Sequence, residues 1–175
     1  MTGLPRTHHG STNGKPHRTG GSHLRLVSPD EAGTTRHPMD DAHGHTIGVR
    51  VPAEASQLIM LRALAETVCL TADFDVSMVT DIRVALDEVA TALVSHRTPG
   101  TEISCDFTYD EQSIEVRINS VSQTDAAFRV ASMGWHLLQA ITDDLQTEVG
   151  PFDHHASGYP TQVRFTRNRD WLPLD

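Results

Sequence analysis

A chain of 175 residues with 38% hydrophobic and 5% aromatic side chains is long enough for one packed domain and too short for a large multidomain enzyme. Its formal net charge of −9 is unevenly spread: residues 1–45 carry five basic and four acidic side chains, a balance of +1, so the rest carries −10. That sign opposes binding to nucleic-acid phosphates and favours a basic protein partner, and no run approaches the roughly 20 apolar residues that cross a bilayer.

Residues 1–45 are crowded with Gly, His, Ser, Thr and Pro and read as a disordered tail. Met1 to Gly10 lacks the apolar core of a signal peptide, so a cytoplasmic protein is expected. Thr46 to Val51 alternates weakly and stops at Pro52, the pattern of an edge strand. From Ala53 to about Leu70, the recurrence of Leu58, Leu61, Ala65 and Val68 predicts a helix, with Arg62 and Glu66 one turn apart on a more polar face. Asp75 then reads as the N-cap of a second helix reaching about His96, with Phe74 and Val79 placed as a hydrophobic staple. Its buried stripe is Ile82, Ala85 or Leu86, Val89 and Leu93.

Pro99-Gly100 ends the helical region and the period changes to two. Ile103, Cys105, Phe107 and Tyr109 predict one strand, Asp110-Glu111 a tight turn, and Ile114, Val116 and Ile118 the returning strand. A third helix is indicated by Leu137, Leu138, Ile141 and Leu145, with Ser132 as its cap. Leu145, Thr147 and Val149 can open another strand, and Thr161, Val163 and Phe165 alternate in a last one. Residues 168–175 read as a loose C-terminal tail, leaving 46–167 as the folded domain. Hairpin-linked strands and three amphipathic helices predict an α/β two-layer sandwich of α+β character. In it a mostly antiparallel, mixed sheet is covered on one face by the helices. Cys69 and Cys105 fall at apolar positions and read as small buried hydrophobes, with neither a disulfide nor a zinc site expected.

The second helix carries Asp81-Ile82-Arg83-Val84-Ala85-Leu86-Asp87-Glu88-Val89-Ala90-Thr91-Ala92-Leu93-Val94-Ser95-His96. This segment resembles the N-box of the GHKL (histidine kinase-like) ATPases, and more narrowly that of the bacterial anti-sigma factor serine-protein kinases. Glu88, Thr91 and His96 fall in register with it. Ile59-Met60-Leu61-Arg62, Gly134-Trp135-His136-Leu137-Leu138, Thr142-Asp143-Asp144-Leu145 and Thr161-Gln162-Val163-Arg164-Phe165 match further parts of the family pattern, over about Ile47 to Phe165.

The resemblance implies a GHKL fold and a nucleotide site in which Glu88 is the catalytic base, while Asn119, Gly134 and Thr161 face the cofactor. It also implies a sigma-factor contact through Arg62 and Glu66 on the first helix. Where the family places an Asn four residues after the Glu, to hold Mg²⁺ against the triphosphate, this chain has Ala92. Asn119-Ser120-Val121-Ser122 replaces the family's adenine-reading Asp and glycine pair, and Asn119 is off by one from the inward alternation. The segment from Asn119 to Gly134 is shorter than the family's lid. The expectation is therefore an anti-sigma factor released by an anti-anti-sigma protein, homodimeric, holding neither metal nor cofactor. The alternatives are an ATP-dependent serine kinase acting on the anti-anti-sigma factor with Glu88 as base, and a non-catalytic GHKL scaffold. Arg62 also has a local reading, an ion pair with Glu66, and Glu88 an ordinary one as a charged helix residue. His154-His155 reads as a loop pair, and His136 as a core or rim histidine beside Trp135.

Overall fold

The computed structural model of the chain describes residues 25–27, 44–126 and 133–169. In chain order these form β1 (Arg25–Val27), β2 (His45–Pro52), a short 3-10 turn (Ala55–Gln57), α1 (Leu58–Thr71), α2 (Val76–Ser95), β3 (Glu102–Tyr109), β4 (Ser113–Ser122), α3 (Met133–Ile141), β5 (Asp144–Val149) and β6 (Tyr159–Asn168). The strands make one sheet in the order β1-β2-β3-β4-β6-β5, and every pairing is antiparallel, where a mostly antiparallel mixed sheet was expected. Helices α1, α2 and α3 pack side by side with α2 in the middle, over β3, β4, β6 and β5. The expected two-layer α/β sandwich is therefore the observed architecture.

The period-two pattern sets which face is buried. On β4, Ile114, Val116, Ile118, Ser120 and Ser122 are buried and the residues between them are half-buried. Register then aligns Phe107, Val116, Phe165 and Leu145 across four strands, and Cys105, Ile118 and Val163 in the next row. Against these rows lie Leu58, Leu61, Ala65 and Val68 of α1 and Met78, Ile82, Ala85, Leu86, Val89 and Leu93 of α2, all buried. Both cysteines lie in this core, and burial pushes the Cys69 thiol up to about 12 and raises that of Cys105 as well.

α2 begins as expected. The Asp75 carboxylate accepts from the backbone amides of Ser77 at 2.9 Å and Met78 at 3.0 Å, and Phe74 is buried with Val79 packed on the core. α1 begins later than expected, because the chain first makes the 3-10 turn at Ala55–Gln57. α3 ends at Ile141. Leu145 belongs to β5 rather than to this helix, Leu137 faces outward, and the expected cap Ser132 lies outside the described residues.

Three boundaries differ from the sequence reading. Within the segment read as a tail, Arg25–Val27 pairs with Gly48 to Arg50 of β2, and the remainder of 1–43 lies outside the described residues. The β3–β4 connection is the three residues 110–112, where a two-residue turn at Asp110-Glu111 was expected, and the Asp110 amide donates to the Ser113 carbonyl at 3.1 Å. The Asp110 carboxylate organises it, accepting from the amides of Gln112 and Ser113 at 2.8 Å each. At the other end Asn168 still belongs to β6 and Arg169 is fixed: its guanidinium lies 4.9 Å from the Phe74 ring centre and donates to the Ala72 carbonyl. Residues 170–175 lie outside the described residues.

Candidate functional site

Glu88 lies on an exposed turn of α2, between the buried pairs Ala85-Leu86 and Val89-Ala90. Across from it, the first turn of α3 presents Gly134. A Cβ built on Gly134 would overlap Glu88 Oε1 and sit 3.0 Å from its Cδ, so the carboxyl group packs directly on the α3 backbone. This approach needs a residue without a side chain at 134. One turn on from Glu88, Ala92 is half-buried, and its carbonyl accepts contact from the His96 ring at 2.9 Å, so His96 folds back on its own helix. Thr91 is exposed.

Thr161 and Asn119, assigned to one pocket by resemblance, occupy opposite faces of the sheet. Thr161 is buried on the helix-covered face beside Ser120, and its hydroxyl donates to the Tyr159 carbonyl at 3.0 Å. Asn119 points away from the helices. It donates to Ser104 Oγ at 3.3 Å and accepts from Gln162 Nε2 at 2.7 Å, a polar row across β3, β4 and β6. The inward polar residues of β4 are Ser120 and Ser122, which continue the parity of Ile118. Ser122 is fully buried, and among the described residues its hydroxyl has no hydrogen-bond partner.

A magnesium triphosphate, the ligand implied by the resemblance, does not fit this donor set. α2 offers a carboxylate at 88 but only a methyl group at 92, and the Asn119 amide is on the far face of the sheet. Among the described residues no three His, Cys, Asp or Glu side chains are grouped so as to hold a metal ion. His154 and His155 are exposed in the β5–β6 loop, where the His154 ring meets Phe152 edge-on at 5.1 Å, and His136 is exposed rather than packed in the core.

The outer side of α1 is built differently. Ile59 is 64% and Met60 40% exposed, unusual for large apolar side chains, and Glu66 is exposed one turn beyond Arg62. Arg62 does not pair with Glu66. Its Nε donates to Asp87 Oδ1 on α2 at 2.6 Å and its Nη2 donates to the same oxygen. Both side chains are 42% exposed, so the pair contributes under about 1 kcal/mol to stability. Asp87 was not a candidate in the sequence reading. It stands 25 residues from Arg62, beyond any helical spacing, and only the packing of α1 on α2 brings the two together.

No family model matches the chain. It is similar to the anti-sigma-F factor RsbW from two strains of Mycobacterium tuberculosis, in each case 29% identical over 101 residues. The match covers 58% of this chain and 60% of the relative, so the chain spans less than two thirds of the length of the curated proteins it resembles.

Proposed function

We propose that the chain is an anti-sigma factor, which binds an RNA polymerase sigma factor through the outer side of α1 and releases it when an anti-anti-sigma protein occupies an overlapping surface. The similarity to an anti-sigma-F factor carries this reading. The exposed Ile59, Met60, Arg62 and Glu66 support it by supplying an apolar and charged surface of the kind partners use. Competition needs no chemistry, because each partner shifts occupancy by its own affinity. The protein acts in the cytoplasm and as a homodimer. The test is co-purification with purified sigma factors. Capture of one, weakened by Arg62→Glu, is the expected result, and failure across a complete set from the source cell removes the proposal.

A second reading, an ATP-dependent serine kinase acting on the anti-anti-sigma protein with Glu88 as base, is favoured by one observation. In the inward row Ser120, Ser122 and Thr161, the buried Ser122 hydroxyl has no partner among the described residues, near where the resemblance places a nucleotide. The missing ligand at Ala92 argues against it. Calorimetry with Mg-ATP decides: no heat at millimolar nucleotide is expected, and micromolar binding with phosphotransfer lost in Glu88→Ala would install the kinase in its place.

A further inference from the structure

We propose that Asp87 is a positioning residue for the partner surface, holding the Arg62 guanidinium in a fixed orientation before the partner arrives. The claim rests on the anti-sigma reading of that surface. Two donors of Arg62, Nε and Nη2, converge on a single oxygen, Asp87 Oδ1. Among the described residues Nη1 and Asp87 Oδ2 have no partner, and 42% of the Arg62 side chain is exposed, so one edge of the guanidinium is held and the other is presented.

The backbones on both sides are anchored. Arg62 follows buried Leu61 and precedes buried Ala65, and Asp87 follows buried Leu86 and precedes buried Val89. The orientation of the pair is therefore set by the packing of two helices and not by the flexible side chains alone. A free arginine loses several rotatable bonds' worth of entropy when it docks; one already clamped by a carboxylate loses less, and a planar donor fork held in place gains in directional selectivity. Glu66, the nearer carboxylate in sequence, does not take this role. It is exposed, and Arg62 reaches across to α2 instead.

A helix staple and a positioning residue predict different results. Calorimetry with a purified sigma-F protein and a panel of other sigma factors gives the affinities of the wild type, Arg62→Ala, Asp87→Ala and the double variant, and urea unfolding gives their stabilities. If Asp87 positions Arg62, each single variant weakens binding about tenfold and the double variant is no weaker than Arg62→Ala alone. Asp87→Glu recovers part of the loss, and unfolding midpoints barely move. In the free wild-type chain, ¹⁵N relaxation of the Arg62 Nε–H shows an ordered side chain that becomes mobile in Asp87→Ala.

Three outcomes overturn the proposal: unchanged affinity in Asp87→Ala where Arg62→Ala weakens binding, losses that multiply in the double variant, or an Arg62 Nε–H equally mobile with and without Asp87. Failure of the wild type to bind any sigma factor instead removes the reading beneath it, and an ordered Nε–H would then mark Asp87 as a structural partner only.

Discussion

Two aspartates in this fold are shifted in opposite directions, and each makes a prediction. The Ser77 hydroxyl, with the amides of Met78 and Ser77, holds the Asp75 carboxyl below the usual carboxylate range. Because the folded value lies below the unfolded one, the stabilisation is present above about pH 4 and is lost as pH falls through the folded value. Asp75→Ala should therefore cost about 1 kcal/mol at pH 7, with a difference from wild type that shrinks below about pH 4, as read from urea midpoints across a pH series. Asp106 behaves in the reverse sense. It is half-buried on the helix-free face, where Gly48 lets its carboxylate lie over the β2 backbone. Burial raises its pKa against the opposing attraction of Arg117 and Arg50. Its charged form is disfavoured by folding, so the penalty is present at neutral pH and fades as pH falls and the group protonates. Asp106→Asn should raise the melting temperature at pH 7 and lose that advantage in acid; a lower melting temperature at neutral pH would show that the ion attractions outweigh the burial.

At the scale of elements, α2 and α3 meet where the Glu88 carboxyl fills the space of a missing side chain at Gly134. Alanine is a better helix residue than glycine by up to about 1 kcal/mol. In the wild-type background Gly134→Ala must displace Glu88, which offsets that gain, whereas in Glu88→Ala the gain should appear as a few tenths to about 1 kcal/mol. Urea unfolding of the four proteins measures the coupling, and equal effects in both backgrounds would mean that Glu88 does not rest on α3. The elements themselves were largely legible in the sequence where local chemistry specifies them. The Asp75 cap, the Phe74–Val79 staple and the α2 stripe coincide with the folded helix, and parity along β4 already turned Asn119 away from the helices. What could not be read was set by distant partners. β1 is three residues of weak pattern that pair with a strand across a long connection, Arg62 meets an aspartate on another helix, and Arg169 is fixed by an aromatic ring. The β3–β4 turn differs for a local reason: the Asp110 amide pairs with the Ser113 carbonyl while its side chain takes the Gln112 and Ser113 amides, so Asp110 flanks the turn instead of forming its first residue.

Over the whole molecule, charge decides what can approach. A net charge of −10 outside residues 1–45 disfavours the approach of a phosphate backbone and favours that of a basic protein surface. A sigma factor has to carry basic faces where it meets DNA phosphates, so an acidic protein that binds it is opposite to it in sign and attracted over distances longer than any contact. This long-range term acts on the encounter and is screened beyond about 10 Å at 0.1 M salt, whereas apolar contacts made by a partner docked on the exposed Ile59 and Met60 would not be. The association rate with a captured sigma factor should therefore fall about tenfold from low to high salt while the dissociation rate changes little, as measured by surface plasmon resonance or stopped flow. The same chain should give no anisotropy change with duplex DNA at low salt, where non-specific electrostatic binding is strongest. An association rate indifferent to salt would place the docking energy wholly in short-range contacts and deny the acidic surface any part in finding the partner. A dissociation rate that rises steeply with salt would instead mean that ion pairs at the interface, and not the apolar face of α1, hold the complex together.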